Sequence, residues 1–505
     1  MPPRISQMKA GAALNYVVLG LNSLVGLLYT PYLLRMLGQS EYGLYSLVAS
    51  VVAYLTIMDF GFGNAIIRYT ARFRAEGNVG KQESMFGMFA LIYSVIGLVA
   101  MAAGLVLVFN ADSLFSASMT QVELSRARTM LLILTFNLAF TFPLSIFGSI
   151  ITAYEDFIFQ KLVQIARILL NTAVMICLLH LGYKAVAMVL VQTAFNLATL
   201  LLNFFRYRHK VHIKFRFNHF DLSLLKEVAL YSFWIFLGVI IDRIYWSTGQ
   251  FVLGAMVGTA AVAVFAVAIN LQSMYMSFST AISNVFLPRV SSMVSRNCSD
   301  SDLSDLFIRT GRIQYVVLSF ILSGFIVFGR QFIAIWAGEG YEDSYLIALM
   351  FFLSLTIPLI QNLGITILQA KNQMKFRSLL YIGIALCSLV FQVLLARPYG
   401  GVGVAAAVSG ALFLGQGVIM NIYYYKKQHL DIPAFWLEIL KLTIIPALMC
   451  IAGFLATSSL ELSSLWSLAL AITLYSVIYI LLMWFFGLSD KEKSLFRFRK
   501  GQSEI

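Results

Sequence analysis

Apolar positions in this chain come in runs too long and too continuous to be the buried stripes of soluble helices. Ala10 to Leu34, Ser84 to Ala111, Thr129 to Tyr154 and Ser344 to Ala370 contain no Asp, Glu, Lys or Arg. A hydrocarbon core of ~30 Å is crossed by ~20 helical residues, so each run suffices. Spanning helices are predicted over 10–34, 43–67, 84–110, 129–154, 162–182, 185–205, 229–254, 260–287, 313–337, 345–369, 378–396, 400–424, 437–458 and 464–486. The expected class is an all-α polytopic membrane protein of about fourteen spans, whose partner is the lipid bilayer.

Charge then orients the chain. With the N-terminus inside, the cytoplasmic segments carry 27 of the 36 Lys and Arg and the external segments carry 5. That asymmetry places both termini in the cytoplasm by the positive-inside rule. The formal net charge of +13 is therefore a matter of topology, and no nucleic-acid partner is expected. Hydrophobic residues make up 60%, charged residues 12%, and mean hydropathy is +0.83. Arg4 and Lys9 precede a first run too long for a signal-peptide core, so it reads as a span. No metal-site spacing links the five His and four Cys, and no cofactor is expected.

Two halves of the chain echo each other. At an offset near 220, Gly38 pairs with Gly258, Tyr45 with Phe265 and Asn64 with Asn284; at 215 to 218, Pro143 pairs with Pro358, Gly148 with Gly364 and Gly182 with Gly400. Six spans per half give both repeats the same orientation, an arrangement suited to alternating access. The predicted organisation is an N-lobe over 1–217, an interfacial helix (Asn218 to Val228) and C-lobe over 218–433, a helix pair over 434–488 and a basic cytoplasmic tail over 489–505.

Polar positions inside the spans recur at helical spacing. Gln160, Gln164, Arg167 and Asn171 share a face, as do Gln192, Asn196, Thr199 and Asn203, and as do Asn270, Ser273, Ser277, Thr280 and Asn284. Such residues also join helices to one another in lipid. Several full-length stripes together are read here as walls of a hydrated cavity. Charges sharpen the picture, because one charge at mid-bilayer costs ~2.5–3.5 kcal/mol on insertion scales. Asp59, Arg167, Asp242 and Arg243 lie within spans, and Arg68 ends the second. Asp242 and Arg243 also admit mutual neutralisation, although neighbours on a helix point ~100° apart.

The stretch Pro31-Tyr-Leu-Leu-Arg-Met-Leu-Gly-Gln-Ser-Glu-Tyr-Gly-Leu-Tyr-Ser, followed by Met58-Asp-Phe-Gly-Phe-Gly and Arg68, resembles the opening of the Wzx-type polysaccharide flippases of the multidrug/oligosaccharidyl-lipid/polysaccharide superfamily. Val257-Gly258 and Leu287-Pro-Arg-Val-Ser-Ser echo it in the second half. The resemblance implies two six-helix lobes that open alternately to either side, and a polyprenyl-diphosphate-linked oligosaccharide repeat unit as cargo, moved from inner to outer leaflet of the bacterial inner membrane. It further implies glycosyltransferases and a glycan polymerase as neighbours in the pathway, of which O-antigen lipopolysaccharide synthesis is one setting.

The residue chemistry suits such cargo. Arg68, Arg167 and Arg243 are candidates for the diphosphate, because the guanidinium fork matches phosphate oxygens. Asn171, Asn270 and Asn284 offer amides to a sugar, and Tyr245, Trp246 and Tyr275 offer stacking faces. Asp59 and Asp242 are the candidates for coupling to a proton or sodium ion. Two alternatives stay open: a cation-coupled multidrug exporter of the same superfamily, and a membrane glycosyltransferase or polymerase. The exporter would favour acidic walls over arginines. The enzyme would need an acidic catalytic cluster or a sizeable external loop, and neither that nor a nucleotide-binding loop is apparent, so no enzymatic activity is expected.

Overall fold

Backbone N–H and C=O groups find no water in hydrocarbon, so apolar runs of this length must satisfy them internally as helices. The computed structural model describes residues 4–211, 213–217, 222–296, 298–371, 373–459, 464–490 and 492–493. Among these there is no strand. The chain is all-α and polytopic, and among the described residues twelve helices are long and apolar enough to cross a membrane.

The chain divides into two compact units, Met1–Ala266 and Val267–Ile505. The first holds α1 (Arg4–Leu37), α2 (Gln39–Leu55), α3 (Phe62–Ala75), α4 (Val79–Phe109), α5 (Ala111–Phe115), α6 (Gln121–Ala153), α7 (Phe157–His180), α8 (Ala185–Lys210), α9 (Leu222–Trp246) and α10 (Thr248–Met256), with the division falling inside α11 (Thr259–Ser295). The second continues with α12 (Asp300–Trp336), α13 (Asp343–Ile360), α14 (Asn362–Ala370), α15 (Lys375–Leu412), α16 (Met420–Gln428), α17 (Ile432–Ser459) and α18 (Leu465–Leu482).

In the first unit α6 is the central post. It packs along α4, α8 and α3, while α1 pairs with α7. An aromatic core of Tyr69, Phe73, Phe86, Phe89, Tyr93 and Phe142 fills one end of this bundle. Thr120 and Glu123 start α6 with a capping box, satisfying two of the N–H groups that a helix start leaves unpaired. Glu123 also accepts from Ser40 (2.5 Å) and Thr259 (2.8 Å), and Ser118 donates to the Gly254 carbonyl (2.5 Å). These bonds tie the α10–α11 turn to α2 and α6. In the second unit α12 lies along α17 and α18. There Arg312 binds Glu492 (2.8 Å) and Glu438 (2.5 Å), fastening the end of the helix pair to α12.

The span pattern departs from the sequence reading where helices break. The second span is two helices, α2 and α3, joined by a 3₁₀ turn over Thr56–Asp59. The seventh divides at Ser247 into α9 and α10, and the tenth at Gln361 into α13 and α14. The eleventh and twelfth abut at Gly400, whose φ of 56° interrupts α15. The twelfth also contains a π-helical turn over Phe413–Ile419. Of the proposed interfacial helix, residues 218–221 lie outside the described residues, while Leu222 to Val228 forms the opening turns of α9, continuous with the span. Most of the basic tail, 494–505, also lies outside them. Paired glycines do share backbone conformation: Gly38 and Gly258 both have positive φ (77° and 128°), as do Gly182 and Gly400 (85° and 56°).

Candidate functional site

The break in the second span combines a 3₁₀ turn with two consecutive left-handed residues. The run Leu47-Val-Ala-Ser-Val-Val-Ala-Tyr-Leu keeps α2 helical to Leu55, and the sequence Thr56-Ile-Met-Asp-Phe-Gly then stops it. Phe60 (φ 51°) and Gly61 (φ 74°) are both left-handed. For Gly61 that conformation costs little, but for Phe60 it costs ~1–2 kcal/mol. Aromatic contacts offset the cost, because the Phe60 ring lies 4.9 Å from Phe236 of α9 and 5.9 Å from Phe62.

Asp59 sits in this break. Its carboxylate accepts a hydrogen bond from the Tyr93 hydroxyl at 2.8 Å and another from the Gly61 backbone N–H. Tyr93 is fully buried and its ring stacks on Phe142 at 6.4 Å, so the donor is held rigidly. Asp59 makes no ion pair among the described residues. It is braced by neutral donors of its own unit.

Arg243 of α9 reaches the same break. Its Nη2 donates to the Thr56 hydroxyl at 3.2 Å, while its Nε is buried with no acceptor among the described residues. One turn on, the Thr248 hydroxyl donates to the Arg243 carbonyl (3.4 Å) and is bonded to the Tyr54 hydroxyl, which secures the α9–α10 junction against α2. Arg243 has no carboxylate partner among the described residues, so mutual neutralisation with Asp242 is not what the geometry shows. Asp242 is exposed, one residue before it. Tyr245 is buried and Trp246 half-buried, with ring centroids 6.1 Å apart. Arg68, on α3 beyond the break, is exposed and lies 5.8 Å from the Tyr69 ring.

Arg167 and Asn171 stand apart from this cluster, one turn from each other on α7, which packs along α1. Arg167 is half-buried, and the Asn171 side-chain oxygen is buried without a hydrogen-bond partner. Asn270 is exposed on the part of α11 that belongs to the second unit. The side chain of Asn284 lies outside the described residues.

The polar stripes are not continuous wet walls. Gln160 donates to the Gly148 carbonyl (2.9 Å) and to Thr152 (2.8 Å). Gln192 accepts from Tyr45 (2.9 Å), and Asn196 donates to Asn137 and Thr141 (both 2.8 Å). On α11, Ser277 and Thr280 bond back to carbonyls of their own helix. These groups join helices or satisfy themselves locally, because a polar side chain in lipid gains most from the nearest protein partner. Tyr275 is likewise engaged by its own neighbours. It is buried, bonded to Thr356 (2.6 Å) and stacked on Phe352 at 4.3 Å, and it forms part of the wall of an apolar pocket in the second unit.

Thr56, Tyr93, Tyr54 and Thr248 complete the site and were not singled out by sequence. The glycines that follow Asp59 were the available signal, since Gly61 and Gly63 in a spanning segment mark a tolerated break. Chemically, the cluster offers a half-buried guanidinium with a donor to spare beside an interrupted helix. Such a combination is chemically suited to an anion.

The profile of a family described as polysaccharide biosynthesis protein matches residues 8–294. No curated protein matches the chain. Among solved structures, a lipid II flippase MurJ in an inward closed conformation aligns at 16% identity, covering 96% of this chain and 99% of that one, with a TM-score of 0.70. An inward-facing multidrug resistance MATE family transporter of the MOP superfamily aligns at 13% identity over 81% of this chain and 98% of that one, with a TM-score of 0.61. A MOP superfamily transporter from Pyrococcus furiosus aligns at 14% identity over 84% and 95%, with a TM-score of 0.52.

Proposed function

Because the chain belongs to the polysaccharide biosynthesis protein family, we propose that it is a flippase carrying a polyprenyl-diphosphate-linked oligosaccharide repeat unit from the inner to the outer leaflet for surface polysaccharide synthesis. The lobes are read as 1–217 and 218–433, alternating in access, with both termini on the cytoplasmic side of a bacterial inner membrane. The observation that carries the cargo assignment is Arg243. A guanidinium half-buried at membrane depth, with no carboxylate partner among the described residues and an unsatisfied Nε, is costly unless an anion completes it.

In this reading Arg243 takes the diphosphate, with Arg167 and Arg68 as further cationic stations. Tyr245 and Trp246, two and three residues after Arg243, and the amides of Asn171, Asn270 and Asn284 serve the sugars. Outward movement of roughly two negative charges gains about 4–5 kcal/mol per 100 mV, interior negative, so the membrane potential alone favours export. Asp59 and Asp242 are the groups through which a proton or sodium ion would add to that drive.

The test uses proteoliposomes loaded with a fluorescent polyprenyl-diphosphate oligosaccharide. Arg243→Ala is expected to lower the flipping rate at least tenfold, with Arg243→Lys intermediate because a point charge replaces a fork. Equal rates for wild type and Arg243→Ala would remove the assignment. Flipping of the diphosphate lipid at the rate of a neutral lipid would remove the function.

A further inference from the structure

The connector between α8 and α9 behaves as a strap, and it shapes a cavity that the transport reading leaves unused. Residues 213–217, without regular secondary structure, lie against the first unit, and the Arg216 N–H donates to the Glu83 carbonyl at 3.1 Å. The Phe215 ring stacks on Phe147 (5.7 Å) and lies 5.8 Å from Phe86 and 5.6 Å from Tyr207. The Tyr207 hydroxyl bonds the Ile213 carbonyl, closing the turn from α8 into the strap. A Cβ at Gly87 would collide with the Arg216 carbonyl, so the strap lies directly on α4.

Between strap and bundle lies a cavity of about 410 Å³. Phe147, Phe204 and Phe215 form its apolar lining, and Arg208 and Lys214 supply its charge. Neither cation makes an ion pair among the described residues. Of the acids at this end, Asp156 is held by Arg206 (2.9 Å) and Lys210 (2.7 Å) and Glu76 and Glu227 flank Arg72, while Glu83 lies beside Tyr207, which lines the hollow. Two cations of unlike origin, one from a helix and one from the strap, thus line one apolar-walled hollow at a membrane boundary.

We infer that this hollow binds the phosphate headgroup of an anionic membrane lipid, gripped between Arg208 and Lys214. A lipid is favoured over a free anion by continuity with the hydrocarbon. Leu201 and Phe205, at 46% and 54% exposure, lie on α8 within two turns before Arg208, forming a track along which an acyl chain delivers its headgroup. General membrane anchoring by basic residues requires neither an aromatic floor nor a strap pinned by backbone hydrogen bonds. The bound headgroup would bridge α8 to the connector leading into α9. The inference does not depend on which cargo the protein moves.

The test is native mass spectrometry and thermal unfolding of the full chain in detergent, with dioleoylphosphatidylglycerol, dioleoylphosphatidylcholine or sodium phosphate added. Phosphatidylglycerol should remain bound and raise the unfolding midpoint, while phosphatidylcholine and inorganic phosphate should not. The double variant Arg208→Ala/Lys214→Ala should lose at least fivefold of the retained phosphatidylglycerol, and Arg208→Lys/Lys214→Arg should keep most of it. Lys81→Ala/Lys226→Ala removes the same charge away from the hollow and should bind as wild type. Unchanged retention in Arg208→Ala/Lys214→Ala, or an equal loss in Lys81→Ala/Lys226→Ala, overturns the site. Equal stabilisation by inorganic phosphate overturns the lipid as its occupant.

Discussion

Arg243 and Asp59 show how two charges at one helix break are handled differently. Asp59 is closed off by a tyrosine hydroxyl and a backbone N–H, while Arg243 keeps a buried donor unused. Tyr93→Phe removes the hydroxyl without changing the ring, and should destabilise the folded protein by about 1–3 kcal/mol, because a buried acceptor loses a partner. Thermal unfolding in detergent measures it, and an unchanged midpoint would mean that Asp59 is satisfied without Tyr93. Both residues were visible in the sequence as charges inside apolar runs. Their partners were not, since Tyr93 lies 34 positions from Asp59 and Thr56 lies 187 from Arg243.

Helices carry the next scale, and their interruptions matter more than their lengths. The second span breaks at Asp59–Gly61, yet its counterpart at an offset of 220 is the unbroken α11. There Ser279 stands where Asp59 does, donating to the Leu359 carbonyl at 2.7 Å, and Ala281 stands where Gly61 does. The repeats therefore match in position and differ in conformation, as a glycine-to-alanine difference at a left-handed site requires. The strap is the second such element. Gly87→Ala should push it off α4 and cost roughly 1–3 kcal/mol as an overpacked contact. Gly80→Ala at the start of the same helix has open space and should be neutral to slightly stabilising, and comparing the two midpoints is the check. The junction of α6 and α7 adds a pH dependence. Burial alone would raise the Asp156 carboxyl, but hydrogen bonds from Arg206 and Lys210 outweigh it and hold its pKa below the ordinary value. A depressed carboxylate contributes its full stability above the unfolded pKa of ~3.9 and loses it as pH falls through the folded value. The midpoint difference between wild type and Asp156→Asn should thus stay constant from about pH 7 to 5 and shrink below about pH 4. A gap that opens instead toward acid would contradict the assignment.

At the scale of a whole unit, the appended helix pair is fixed to α12 by a charge cluster. Burial would raise the Glu492 carboxyl, but hydrogen bonds from Arg312 and from Ser489 outweigh it and hold it below its usual range. Arg312 also contacts Glu438 and the Gly487 carbonyl. Removing Arg312 strands Glu492, which is 3% exposed, so Arg312→Ala should cost about 3–5 kcal/mol. Arg312→Ala combined with Glu492→Gln should recover part of that loss. Unfolding midpoints of the single and double variants decide it, and an unrecovered double variant would place the cost in lost packing rather than in the charge.

Sequence alone determined that this is a helical membrane protein and where its spans fall, because hydrophobic length is a local property that the bilayer reads directly. It also marked Asp59, Arg167 and Arg243 as exceptional, since a charge inside an apolar run is conspicuous in one dimension. Only the tertiary structure decided which polar residues are available to a ligand. Gln160, Gln192 and Asn196 share the spacing of a cavity wall but are consumed by partners on other helices, while Arg243 and Asn171 retain unmatched atoms. Helical periodicity fixes the face a residue occupies; what that face meets depends on helices far away in sequence.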